Sequence, residues 1–382
     1  MLMLGSYPPR ECGIATFTFD VAAALNRAFG GMCDIIAIDE TGGETRAYPR
    51  EVVARLRQQQ RNSYFDVAKF INAHHAPVLT VQHEYGLYGG EYGEWLIDLL
   101  DQVKKPVVLA LHSILAEPDR AMLRVERELC ARSSKVIALS QTGVDMLVLD
   151  HGIERSKVKL IHHGVPDVPL RATASAKEAF GLGDRFVIST FGLISRNKGL
   201  EYAVEAMSGV VREHPEALYL ILGMTHPCVR KHEGEAYRES LQKMVDERGL
   251  QNNVRLIDKY LGFDELLDYL AATDVYLTPY LSENQIVSGT LAYAAGCGKA
   301  IVSTPYLYAQ ELLAHGRGYL CAFRNPDSIS QRLLTLLDDP AMLRATERRA
   351  YAFGRKMTWP HVANEYGDVF ASLTGRLVAA SA

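Results

Sequence analysis

Two cations stand in the segment Gly192-Leu193-Ile194-Ser195-Arg196-Asn197-Lys198-Gly199, and the chemistry they offer is the holding of phosphate. A guanidinium grips phosphate oxygens with a planar fork, and an ammonium adds a compact charge to the same group. Phe186–Phe191 reads as a buried strand before this loop, and Leu200, Val204, Met207 and Val211 recur at helical spacing after it. The loop therefore leaves the carboxyl end of a strand, where parallel sheets collect their ligands. An ordinary strand-to-helix turn with solvated Arg196 and Lys198 fits the same spacing, so both readings stand. Ser288-Gly289-Thr290 precedes Leu291–Ala295 and reads as a helix start whose N–H groups favour an anion, with Gly289 allowing close approach and Ser288 equally suited to a plain cap. His112 follows Val107–Leu111 and so stands at a strand exit. Other strand-end loops carry Arg10 and Gly13, His83 with Glu84 and Tyr85, and Gly223-Met224-Thr225-His226-Pro227. For Arg10 and Gly13 the bland alternative is a helix start capped by Thr16 or Thr18.

Short β-rich runs alternate with helical patterns along the whole chain, which predicts an α/β protein of two doubly wound parallel sheets. The first half supplies Met1–Leu4, Cys33–Ile38, Val78–Val81, Val107–Leu111, Val136–Leu139 and Val158–Ile161. A polar stretch from Pro166 to Asp184 reads as a linker. The second half supplies Phe186–Phe191, Leu218–Leu222, Val254–Ile257, Val275–Leu277, Ile301–Ser303 and a further run at Tyr319–Ala322. The expected domains are 1–168, 169–355 and a last helical segment, 356–382. Two such domains facing each other would line one cleft with their carboxyl-end loops.

The 382 residues exceed what one core usually organises. A formal charge of −4 argues against a general nucleic-acid binder. No apolar run is long enough to span a membrane and the N-terminus lacks signal-peptide character, so a cytoplasmic protein is expected. Six scattered cysteines predict free thiols. The pairs His74-His75 and His162-His163 invite a metal, but neighbours on one strand face opposite ways and no carboxylate cluster accompanies them, so no metal is expected.

In order and spacing, Pro9–Ala15, the strand ending in His112, Ile161–Val165, Gly192–Gly199, Asn253–Ile257, Leu266–Pro279 and Ala294–Gly298 resemble the retaining nucleotide-sugar glycosyltransferases of the family-four type. The likeness covers nearly the whole chain and implies the GT-B fold, two facing Rossmann-like domains, with the Trp359–Phe370 helix crossing back onto the first. It implies transfer of a hexose, mannose or glucose, from a GDP- or UDP-sugar to a sugar or lipid-linked acceptor, without a required cofactor and with transient membrane association open. It gives His112 a place beside the transferred sugar, makes Arg196 and Lys198 stabilisers of the leaving phosphate, and gives Gly192, Gly223, Glu283, Gln285, Ser288, Gly289 and Thr290 to the donor. The acceptor side takes Arg10, Gly13 and His83. Three places depart from the family. Gln285 and Tyr293 stand where two glutamates are usual, the second of which holds the ribose; Leu193 replaces an arginine; and His163 replaces a frequent asparagine. A sugar phosphorylase and a noncatalytic nucleotide-sugar-binding partner are the alternatives on the same fold.

Overall fold

The computed structural model describes residues 1–40, 46–170 and 173–375. They form two compact units, residues 1–164 together with the chain from Met357 onward, and Val165–Lys356. Residues 171–172 of the expected linker and 376–382 of the expected last segment lie outside the described residues.

In the first unit the described strands are β1 (Leu2–Gly5), β2 (Asp34–Asp39), β3 (Val52–Arg57), β4 (Leu79–His83), β5 (Val107–Leu111), β6 (Lys135–Ala138) and β7 (Val158–Leu160). They pair in the order β3-β2-β1-β4-β5-β6-β7, every pairing parallel. Strands β1, β4 and β5 are buried along their whole length; β5 accordingly reads as a continuous apolar run, whereas β4 also buries Thr80, Gln82 and His83. Strand β3 escaped the sequence reading because it is an edge: arginines at 55 and 57 alternate with Ala54 and Leu56, and only Leu56 is buried. The helix Trp359–Thr374 packs on the helix Gly13–Phe29. Gly367 is required there, since a Cβ would lie 2.3 Å from the Phe29 ring.

In the second unit β8 (Phe186–Phe191), β9 (Ala217–Leu222), β10 (Val254–Ile257), β11 (Val275–Thr278), β12 (Ala300–Ser303) and β13 (Tyr319–Leu320) pair in the order β10-β9-β8-β11-β12-β13, again parallel. Ile188, Val204, Met207, Leu241, Val275, Leu277 and Leu333 belong to its core. The expected linker is in part structure: Thr173–Ala179 is a helix, Lys177 meets Asp274 at 2.6 Å, and Phe180 stacks on Tyr269. Its polarity reads as a linker in sequence because the carboxylate that holds it lies about a hundred residues away.

Candidate functional site

The strand order reverses at β8 in the second sheet, with β9 on one side and β11 on the other, and the loops leaving these three strands are knitted together. The loop after β8 and the loop after β9 continue the sheet pairing: Ile194 N donates to Met224 O at 2.9 Å and His226 N to Ile194 O at 2.9 Å. They meet at two glycines. Gly223 has φ +142°, and a Cβ there would lie 2.1 Å from Gly192 O. Gly192 has φ +127° and itself lies against Thr290, 3.4 Å from an ideal Cβ to Cγ2. Gly199 closes the far end with φ +60°, its missing Cβ 2.2 Å from Pro279 O, and Leu281 N donates to Asn197 O at 2.9 Å. Only residues without a Cβ let the three backbones come this close.

Lys198 lies on this seam. Its Nζ is 3.7 Å from the centre of the Tyr280 ring, and Tyr280, almost fully buried, stacks in turn on Tyr306. The Tyr280 hydroxyl meets Thr290 Oγ1 at 2.9 Å, and Thr290 Oγ1 meets Ser288 Oγ at 3.1 Å. Ser288 caps the helix Gly289–Gly296 through Leu291 N. Lysine, ring, hydroxyls and helix start are thus one connected group, which is suited to an anion. Gln285 has its amide nitrogen committed to Val287 O at 2.8 Å, and Glu283 is exposed on the same loop. Tyr293 is buried, with the Phe263 ring edge-on to it at 6.5 Å.

Arg196 takes a different direction from the one expected. Its Nε lies 3.2 Å from Glu233 Oε2, and its guanidinium lies 5.2 Å from the Tyr237 ring centre. The two cations of the loop engage different elements. The short helical turn Arg196–Lys198 separates their side chains, and partners remote in sequence, Tyr280 for one and Glu233 and Tyr237 for the other, hold them.

In the first unit the strand-end residues gather around Phe17. The His112 ring is edge-on to Phe17 at 4.7 Å, His163 at 5.1 Å and Trp359 at 5.5 Å. Gly164 lets Trp359 in, since a Cβ would lie 2.1 Å from its ring. His112 Nε2 donates to Gln82 Oε1 at 2.8 Å, which leaves the Nδ1 lone pair as the acceptor. Burial, then the neighbouring His163 and His83, hold its pKa down at about 3. It is a neutral hydrogen-bonding group and a weak base. Gln82 was not singled out from sequence; its signal is a polar residue inside an apolar strand, which must find a partner.

His83 is fully buried and its ring stacks on Tyr88 at 5.9 Å. Among the described residues neither ring nitrogen has a hydrogen-bond partner, and burial lowers its pKa to about 4. Expected at the acceptor, it lies instead in the interior, because the last residue of β4 is packed within the sheet's core; the next residue, Glu84, is partly buried and takes the Ser113 hydroxyl. Gly13 opens its helix, is exposed, and would seat a Cβ with nothing within 4 Å. The cap is neither Thr16 nor Thr18 but Cys12, whose Sγ accepts from Ala15 N at 3.3 Å. Arg10 pairs with Glu40 at 2.7 Å.

The histidine pair 74–75 also differs from expectation. His74 caps the C-terminus of the helix Arg61–Ala73, so the two rings are not on opposite faces of a strand: they lie 4.3 Å apart with Asp34 against both, at 3.2 and 3.8 Å. His74 Nδ1 accepts from Ala76 N, which places the proton on Nε2, toward Asp34, where a metal would need a lone pair. Asp34 opens β2, so this cluster lies at the amino edge of the sheet, away from the strand-end loops.

Residues 173–353 match the family model described as Glycosyl transferases group 1, and residues 13–167 match Glycosyltransferase Family 4. The D-inositol 3-phosphate glycosyltransferase of Streptomyces avermitilis is 29% identical over 294 residues, 70% of this chain and 60% of that protein. The GDP-mannose-dependent alpha-(1-6)-phosphatidylinositol monomannoside mannosyltransferase of Mycolicibacterium smegmatis is 26% identical over 189 residues, 48% of this chain and 45% of that protein. The chain therefore spans less than two thirds of the length of either relative. Among solved structures, Anabaena HepE in complex with UDP and glucose superposes with a TM-score of 0.76 at 16% identity, covering 97% of this chain and 99% of that one, a likeness of fold.

Proposed function

We propose a function from the family to which this chain belongs, the glycosyltransferases of group 1 and family 4: it moves a hexose, glucose or mannose, from a UDP- or GDP-sugar to a sugar or lipid-linked acceptor. The observation that carries this reading is the connected group of Lys198, Tyr280, Thr290 and Ser288 at the reversal of the second sheet. Support comes from the UDP and glucose held by HepE and from the GDP-mannose dependence of the mycobacterial relative.

Transfer requires charge stabilisation as the bond from the sugar's anomeric carbon to the diphosphate oxygen breaks. Lys198 and the N–H groups at Gly289–Thr290 meet that charge without reorganising, a contribution of about 2–4 kcal/mol for a well-placed donor. They do electrostatically what a divalent cation does in other sites. The bond from the acceptor oxygen forms on the face the diphosphate leaves, so configuration is retained, and the acceptor's proton passes to a leaving phosphate oxygen. No protein base enters this step, which accords with the low basicity of His112. We assign His112 to hydrogen bonding with the sugar. No helix among the described residues is long and apolar enough to cross a membrane. A lipid-linked acceptor would be met by transient association with the membrane surface.

The test is incubation with UDP-glucose and GDP-mannose, each with inositol 3-phosphate or free hexoses, following nucleoside diphosphate release and the anomeric configuration by NMR. An α-linked product from an α-linked donor is expected. Donor binding without release in any pairing would favour the noncatalytic partner. A second reading, a sugar phosphorylase, is motivated by Tyr293, which cannot accept from two ribose hydroxyls as a carboxylate does. Release of sugar 1-phosphate from disaccharides and inorganic phosphate, with no nucleotide sugar present, would establish it instead.

A further inference from the structure

His226 ends the loop after β9, and the fold spends several interactions on holding that loop still. Arg238 Nη2 donates to Gly223 O at 2.7 Å and pairs with Asp258 at 2.8 Å, while the Thr225 hydroxyl is bound by Glu235. The backbone of His226 is bonded to the phosphate-loop candidate itself, N to Ile194 O at 2.9 Å. Its side chain is set by one further bond: Nδ1 accepts from Cys228 N at 3.2 Å, which makes His226 the cap of the turn Pro227–Glu233. A ring whose Nδ1 is an acceptor carries its proton on Nε2. The half-buried ring therefore presents a fixed N–H donor.

The His226 backbone is bonded to the loop that carries Lys198, N to Ile194 O at 2.9 Å. Burial, then the Lys198 charge, lower the His226 pKa, which favours the neutral ring. The seam needs such a group. Leu193 brings no charge, and Arg196 is turned to Glu233 and Tyr237, so of the loop's two cations only Lys198 joins the Ser288–Thr290 helix start. A diphosphate has more oxygens than one lysine and one helix start satisfy.

We propose that His226 is a phosphate-binding residue of the donor site, its Nε2–H donating to a diphosphate oxygen alongside Lys198. This rests on the nucleotide-sugar reading above and extends it to a residue outside that reading. The donor acts as a neutral N–H, since protonating Nδ1 would break the bond from Cys228 N. Rigid presentation by Arg238 and Thr225 is what lets one neutral hydrogen bond count, because little ordering remains to be done on binding.

The test is His226→Asn, because asparagine is a good helix cap and keeps a bond to Cys228 N while removing the Nε2 donor. Calorimetric titration of the full chain with UDP and GDP, and with uridine and guanosine as phosphate-free controls, separates the phosphate contact from the rest of the site. The expected result is affinity for whichever diphosphate binds reduced about tenfold, with nucleoside affinity and melting temperature unchanged. Equal diphosphate affinity in variant and parent would overturn the assignment. So would an equal loss for nucleoside and diphosphate, which would mean that His226 acts only on loop structure. If the unsubstituted chain binds neither UDP nor GDP, the nucleotide-sugar reading itself fails, and this inference fails with it.

Discussion

Replacing His83 by phenylalanine tests the interior of the first unit through its response to acid. His83 is fully buried, neither nitrogen has a partner among the described residues, and its pKa is lowered from 6.5 to about 4. A lowered folded-state value means that the unfolded chain binds the proton more readily, so the stability contributed by the neutral ring is complete above pH 6.5 and is lost as pH falls toward the folded value near 4. Between pH 7.5 and 5.5 that loss comes to about 1 kcal/mol for this residue alone. His112 and His163, held at about 3 and about 4 by the same burial, act in the same direction. His151, raised by its bond to Glu126, opposes them. The substitution isolates one ring: phenylalanine keeps the stacking on Tyr88, removes two unpaired polar atoms, and carries no proton. The expected outcome is a variant at least as stable as the parent at pH 7.5, whose acid-induced loss is smaller by about 1 kcal/mol. Urea unfolding followed by tryptophan fluorescence reads this unit alone, since the chain's two tryptophans, Trp95 and Trp359, both belong to it. Identical pH dependence in parent and variant would refute the reasoning. An acceptor KM raised severalfold, with stability unchanged, would return His83 to the acceptor site.

Gly223→Ala forces a Cβ to 2.1 Å from Gly192 O at a φ that suits only glycine, so the two phosphate-seam loops must part by about 1 Å. About 2–4 kcal/mol of strain and overpacking is expected in the second unit, with transfer reduced about a hundredfold; a normal melting temperature with normal turnover would contradict it. Lys198→Ala should lower kcat/KM by about thirty- to a thousandfold, whereas Arg196→Ala, engaged with Glu233 and Tyr237, should lower it less than tenfold. Steady-state rates with the donor identified by the incubation assay decide this pair, and the reverse ranking would restore the guanidinium as the principal phosphate ligand.

The alternation of apolar runs with helical periodicity was enough to read two parallel sheets and the loops at their carboxyl ends. Strands buried on both faces are predominantly apolar, and that preference is written in each local segment. Local pattern failed at β3, whose arginines are those of an edge, and at Thr173–Ala179, whose polarity answers to a carboxylate distant in sequence. The loop of Arg196 and Lys198 was visible as a pair of cations on a strand end. Which of the two joins the helix start was not visible, because a side chain's direction depends on Tyr280, Glu233 and Tyr237, each contributed by a different segment. His83 and Gly223 show the same division. A histidine at a strand end and a glycine in a loop are legible as residues, but burial without a partner and a backbone contact too close for a Cβ exist only once separate strands are brought side by side. By itself the sequence determined the two sheets apart from the β3 edge, the strand-end position of the chemistry and the residue types available there. The tertiary structure alone decided which of those residues meet, because proximity and desolvation are properties of packed neighbours rather than of spacing along a chain.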